Sequence, residues 1–103
     1  RSNNRCYEAE LLRLKGEALR LDNRDLDQAE RYFRTSLDVA RRQKSLSWEL
    51  RTATSLARLL QDRRQTAEAC SLLTSVYEQF EQGFSTPDLQ DAMALLQELR
   101  TQA

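Results

Sequence analysis

Apolar and small residues recur along this chain at intervals of three and four, and the pattern stops where polar and turn-forming residues cluster. That interval is the signature of a helix with one buried face. From about Cys6 to Leu21 a stripe of Leu12, Gly16 and Leu19 predicts a first helix, closed by "DNRD" at 22–25. Asp25 with Gln28 reads as a capping box for a second helix reaching about Arg42, with Leu26, Ala29, Phe33, Ser36, Leu37 and Ala40 facing inward. "QKSLS" breaks the pattern, and Ser45 or Ser47 is placed to cap a third helix carrying Trp48, Ala53, Leu56, Ala57 and Leu60. A short link at "DRRQ" precedes a fourth helix with Ala69, Leu72, Leu73, Val76, Tyr77 and Phe80. Gly83 reads as its left-handed stop, with Phe84 folding back on the last turn. Thr86 then reads as a cap, Pro87 as a first helical position and Asp88 as a charge favourable to the helix dipole. The fifth helix buries Leu89, Ala92, Met93, Leu96 and Leu99. With two Gly, one Pro, no Ile and only Val39 and Val76, the composition lacks the residues that punctuate and fill sheets. The expectation is an all-α chain with no strand longer than three residues.

The pattern repeats. Shifted by about 40 residues, Gly16 falls one short of Ala57, Ala29 falls on Ala69, Phe33 on Leu73 and Ser36 on Val76. In each half a small residue on one helix is followed 12 or 13 residues later by Ala on the next, and a large apolar residue comes four after that. Small side chains let antiparallel helices approach, and the large one fills the adjoining gap. The arrangement resembles the tetratricopeptide repeat, W-x2-L-G-x2-Y…A-x3-F…P. Leu12, Gly16, Leu19, Ala29 and Phe33 stand at the Trp, Gly, Tyr, Ala and Phe sites of a first repeat. Leu56, Ala57, Leu60, Ala69 and Leu73 stand at the Leu, Gly, Tyr, Ala and Phe sites of a second. Lys15 and Ala53 depart from the pattern, and Arg41 and Glu81 replace the terminal Pro. The period also exceeds the family's ~34, an excess expected in the turn "RRQKSLSWE" at 41–49. Other helical-hairpin arrays would satisfy the same packing logic.

The resemblance covers about residues 8–82. It implies an α-solenoid in one domain, 1–103, with repeats at 6–43 and 46–83 and a capping helix at 87–101. A longer stretch, from "AELLRLKGEALRL" through "SWELR" to "GFSTPDL", is similar to the C-terminal tail of large bacterial signalling proteins. In those proteins a nucleotide (adenylate) cyclase or activator-like region and a regulatory ATPase precede a helical-repeat tail. That likeness implies a bacterial signal-transduction parent whose catalytic regions lie upstream. A first residue of Arg1 rather than Met fits a piece of a longer protein.

Charge and chemistry narrow the function. Sixteen basic residues balance sixteen acidic ones, so no net field favours nucleic acid or an anionic membrane. Cys6 and Cys70 lack metal-like spacing and are too few for a disulfide framework, so they read as free thiols in the cytoplasm. No apolar run approaches the ~20 residues of a membrane span, and no signal peptide is visible. The chain has no His, its glycines are isolated, and no Ser-x-x-Lys dyad occurs. Neither triads, phosphate loops nor zinc sites can be assembled from such a set. The carboxylate pairs Asp25 with Asp27 and Glu78 with Glu81 read as solvated charge rather than acid–base machinery. The expectation is a non-enzyme without metal or cofactor.

Two surfaces stand out. Beside the packing stripe, the first helix carries Glu10, Arg13, Glu17 and Arg20, and the third carries Arg51, Thr54, Arg58 and Gln61 at matching spacings. In tetratricopeptide arrays these helices line the ligand groove. The set is mildly basic, which suits an acidic or polar segment of a protein partner; a solvated face laced by pairs such as Arg13 with Glu17 is the plainer reading. Neither matching site carries the Asn of the family's carboxylate clamp, so that ligand is not expected. The other functional reading is a regulatory domain that binds a small effector in the same groove. "RRQK" at 41–44 complements a helix dipole, and Trp48 is expected to pack on the first hairpin. Tyr7, Leu11, Leu14, Ala18 and Leu21 form a second apolar face on the first helix, which predicts self-association as a two-fold dimer.

Overall fold

The structure, a computed structural model, describes residues 3–22, 25–79 and 87–102, with side chains at 8–22, 25–79, 87 and 89–101. Among the described residues five helices follow one another: α1 Asn3–Asp22, α2 Leu26–Arg42, α3 Leu46–Asp62, α4 Thr66–Tyr77 and α5 Pro87–Gln102. No strand occurs among the described residues, so the chain is all-α. The features expected at Phe80, Gly83, Phe84 and Thr86, and the side chains of Cys6 and Asp88, lie outside what the structure describes.

Each helix packs on its successor, and α3 also lies against both α1 and α5. The odd-numbered helices therefore form one layer, with α2 and α4 behind it. The thinnest extent of the molecule is 19 Å, close to two helix diameters of ~10 Å each.

Small residues set the helix approach. Gly16 is buried, and a Cβ there would stand 2.7 Å from Phe33 Cε1. Phe33, Ala29, Ala57, Ala69 and Leu73 are all fully buried in the main core, which runs from α2 to α5. Ala53 and Leu60 join them, and α5 contributes Leu89, Ala92, Leu95, Leu96 and Leu99. A satellite cluster of Ala9, Val39 and Ala40 takes Leu12 and Trp48 as half-buried neighbours. Trp48 thus packs on the first hairpin from its edge.

Two turns have the same construction without glycine. Lys44 (φ 56°) and Arg64 (φ 65°) sit in the left-handed region. Lys44 N–H donates to Arg41 O and Ser45 N–H to Ala40 O. Arg64 N–H donates to Gln61 O and Gln65 N–H to Leu60 O. This is the paired closure that satisfies the last helical carbonyls. The α2–α3 turn is therefore as short as the α3–α4 turn, which corrects the expectation that the extra period lies in 41–49. The extra length sits in the helices, since α2 and α3 each run 17 residues. Asp25 accepts from Gln28 N–H at 3.0 Å, as a cap should, while Gln28 Oε1 turns to accept from Arg31. Ser45 precedes α3 but makes no side-chain cap.

Polar contacts tie the layers together. Ser36 Oγ donates to Ala9 O at 2.7 Å and lies 2.9 Å from Thr52 Oγ1. Because the Ser36 proton is committed to Ala9, Thr52 donates to Ser36, and three helices meet at one buried pair of hydroxyls. On the outer side Arg63 reaches Asp27 (2.7 Å) and Glu30 (3.0 Å), and Arg34 joins Glu30 (2.8 Å) to Glu68 (3.0 Å).

Candidate interaction face

Arg51, Thr54, Ser55 and Arg58 are spaced i, i+3, i+4 and i+7 and so share one face of α3. Because α1 and α5 flank α3, that face becomes the floor of a cavity of about 230 Å³. Arg13 of α1 and Asp91 of α5 complete its lining with those four residues. Thr54 and Ser55 are buried in the floor, at 5% and 1% exposure. Thr54 Oγ1 donates to Leu50 O (2.8 Å), and Ser55 Oγ accepts from Arg13 Nη1 (3.2 Å).

Of the eight groove positions read from the sequence, Arg13, Arg51, Thr54 and Arg58 line this cavity. Glu10 and Glu17 do not line it; they hold Arg13 through contacts of 2.8 and 3.9 Å. Arg51 lies 3.9 Å from Glu10, and its guanidinium stacks 4.7 Å above the Trp48 ring. Arg20 is farther along α1, bonded to Glu17 and, across to α3, to Asp62 at 3.0 Å each. Burial pulls the Arg20 pKa down, but the hydrogen bonds and charges of Glu17 and Asp62 outweigh it and leave it raised. Gln61 donates to Glu98 of α5 (2.9 Å).

The mildly basic character expected of this face does not survive. Asp62, Asp91 and Glu98 join Glu10 and Glu17, so the four arginines share the face with five carboxylates. Ser55 could have been found from its helical register with Arg51 and Arg58. Asp91 and Glu98 could not, because they arrive only when α5 docks on α3.

On the other side of α1, Leu11, Leu14 and Leu21 are 57%, 48% and 75% exposed, and Ala18 is exposed too. The Tyr7 side chain lies outside the described residues. A second cleft, about 550 Å³, is bordered by Arg41, Lys44, Leu46, Glu49 and Gln79. Its buried carboxylate, Glu49, is bonded to Arg41 at 2.9 Å. Among the described residues no group of His, Cys, Asp and Glu is arranged to hold a metal ion. No described helix is long and apolar enough to cross a membrane.

Comparison with known proteins yields no match to a family model, to a curated protein or to a solved structure.

Proposed function

We propose that this chain is a non-catalytic protein-interaction module of tetratricopeptide type, with α1, α3 and α5 presenting the face that meets a segment of a partner protein. Two helical hairpins stack as a short solenoid in this reading, and α5 closes one end. The observation that carries it is the shared polar face of the three odd-numbered helices, built around one small cavity floored by Thr54 and Ser55. At about 230 Å³ the cavity falls below the ~300–1,000 Å³ typical of small-molecule sites. That favours side chains of a docked segment over a free effector. The regulatory tail of a cytoplasmic bacterial signalling protein is the setting that the sequence likeness supplies. The exposed leucines of α1 give the module a second contact surface, for another copy of the chain.

The test is selection of peptides from a random display library on the immobilised chain, followed by mapping of the selected peptides on backbone amide shifts. The proposal expects shifts on α1, α3 and α5, and loss of binding in Arg58→Glu. Peptides that map to the outer faces of α2 and α4 would refute it.

A further inference from the structure

The charges around the cavity are almost all matched within the protein. Arg13 is held by Glu10 and Glu17, Arg20 by Glu17 and Asp62, and Arg51 lies between Glu10 and Trp48. Two lining residues differ. Arg58 on α3 and Asp91 on α5 border the same cavity, yet neither has an ion-pair partner among the described residues, and they do not pair with each other. Ser55, one turn before Arg58 on α3, lines the same cavity; its oxygen accepts from Arg13 while its own proton has no acceptor among the described residues. The cavity thus offers an unspent cation and hydroxyl donor from α3 and an unspent anion from α5, among charges that are otherwise paired.

We propose that this site recognises a pair of opposite charges on one segment, an acidic side chain at Arg58 and Ser55 and a basic side chain at Asp91. The inference rests on the interaction-module reading and narrows it: the partner is a mixed-charge segment rather than an acidic one. An all-acidic segment would meet Arg58 but set a like charge against Asp91, Glu10 and Glu17. An all-basic one would meet Asp91 but oppose three arginines. Such juxtapositions govern specificity more than affinity, so binding is weak and the preference is read from ratios.

Trp48, the only tryptophan, lies under Arg51 of the cavity wall and serves as the reporter. The probes are capped alanine-based peptides carrying Glu with Lys in either order, Glu with Glu, or Lys with Lys, at separations of zero to three alanines. They are titrated by Trp48 fluorescence and amide shifts. One mixed peptide is expected to bind about fivefold tighter than either like-charge peptide, the ratio that a single solvent-exposed pair supports. Arg58→Glu shifts the preference to Lys with Lys, and Asp91→Lys shifts it to Glu with Glu. The double variant Arg58→Glu/Asp91→Lys restores a preference for mixed peptides in the opposite order, which also shows that the variants are folded. Peptides that perturb α1, α3 and α5 without charge preference, or a preference for Glu with Glu in the unaltered chain, overturn this inference and leave the interaction-module reading standing. If no peptide moves that face, both fall.

Discussion

Gly16→Ala is the sharpest probe of how the first hairpin is packed. The added methyl would stand 2.7, 2.9 and 3.0 Å from Phe33 Cε1, Cδ1 and Cζ. Carbon atoms ordinarily rest ~3.5–4.0 Å apart, so the ring would have to retreat by roughly 0.5–1 Å. Phe33 is fully buried in the main core and has no solvent to retreat into. Overpacking of this kind costs about 1–3 kcal/mol. Replacing glycine in a helix interior returns about 1 kcal/mol, so the single variant should lose about 0–2 kcal/mol.

A net effect that small is ambiguous alone, and a second substitution makes it decisive. Phe33→Leu removes the three contacting ring atoms at its own cost in buried area. In that background Gly16→Ala should be stabilising by about 1 kcal/mol, because only the helix-propensity gain remains. The two substitutions are therefore coupled by about 1–3 kcal/mol, with a change of sign. The assay is urea unfolding of all four chains, followed by helical circular dichroism and Trp48 fluorescence. Additive effects within ~0.5 kcal/mol would refute the claim that Gly16 is where the first hairpin closes on Phe33.

Ala57→Leu, in the equivalent position of the second hairpin and fully buried, should overpack and cost about 1–3 kcal/mol; an unmoved melting temperature refutes the repeat alignment. Ser36→Ala removes the donor to Ala9 O and the acceptor for Thr52. It should cost about 1–3 kcal/mol, and Thr52→Val added to it should cost less than it does alone, as read by the same unfolding assay. Lys44→Gly relieves a left-handed residue at φ 56° and should raise stability by about 0.5–1 kcal/mol after glycine's entropy is counted. In sedimentation across a dilution series the chain should self-associate, and Leu14→Glu with Leu21→Glu should abolish this without changing the urea midpoint measured at dilutions where the parent chain is monomeric. A strict monomer at millimolar concentration refutes the association.

The parts of the fold that follow from side-chain volume were legible in the sequence. Gly16, Ala29 and Phe33 announce a close crossing by size and spacing alone, and Ala57, Ala69 and Leu73 repeat it. The turns were legible only as interruptions. Their left-handed residues are Lys44 and Arg64, and no glycine marks either place. An interruption does not show its own length, so the turn at 41–49 looks longer than it is, and the surplus residues belong to α2 and α3. Ser36 reads as a small residue on an apolar stripe. Its role as a hydrogen-bond junction depends on the Ala9 carbonyl, 27 residues earlier, and no local pattern carries that.

The electrostatics of the candidate face belong to the same non-local class. A count over α1 and α3 gives four arginines and two glutamates, but a helix face takes its field from every element beside it. Asp62 at the end of α3, and Asp91 and Glu98 on α5, change the balance from basic to slightly acidic. A face whose charges so nearly cancel draws a partner only weakly from a distance, because long-range steering needs a strong field of one sign. It can still discriminate at contact, where each unspent group sees only its nearest neighbour and a wrong sign costs more than a right one gains. Arg58 and Asp91 are the groups left to do so. Selectivity at this site would then depend on the order of charges along the partner rather than on how many it carries.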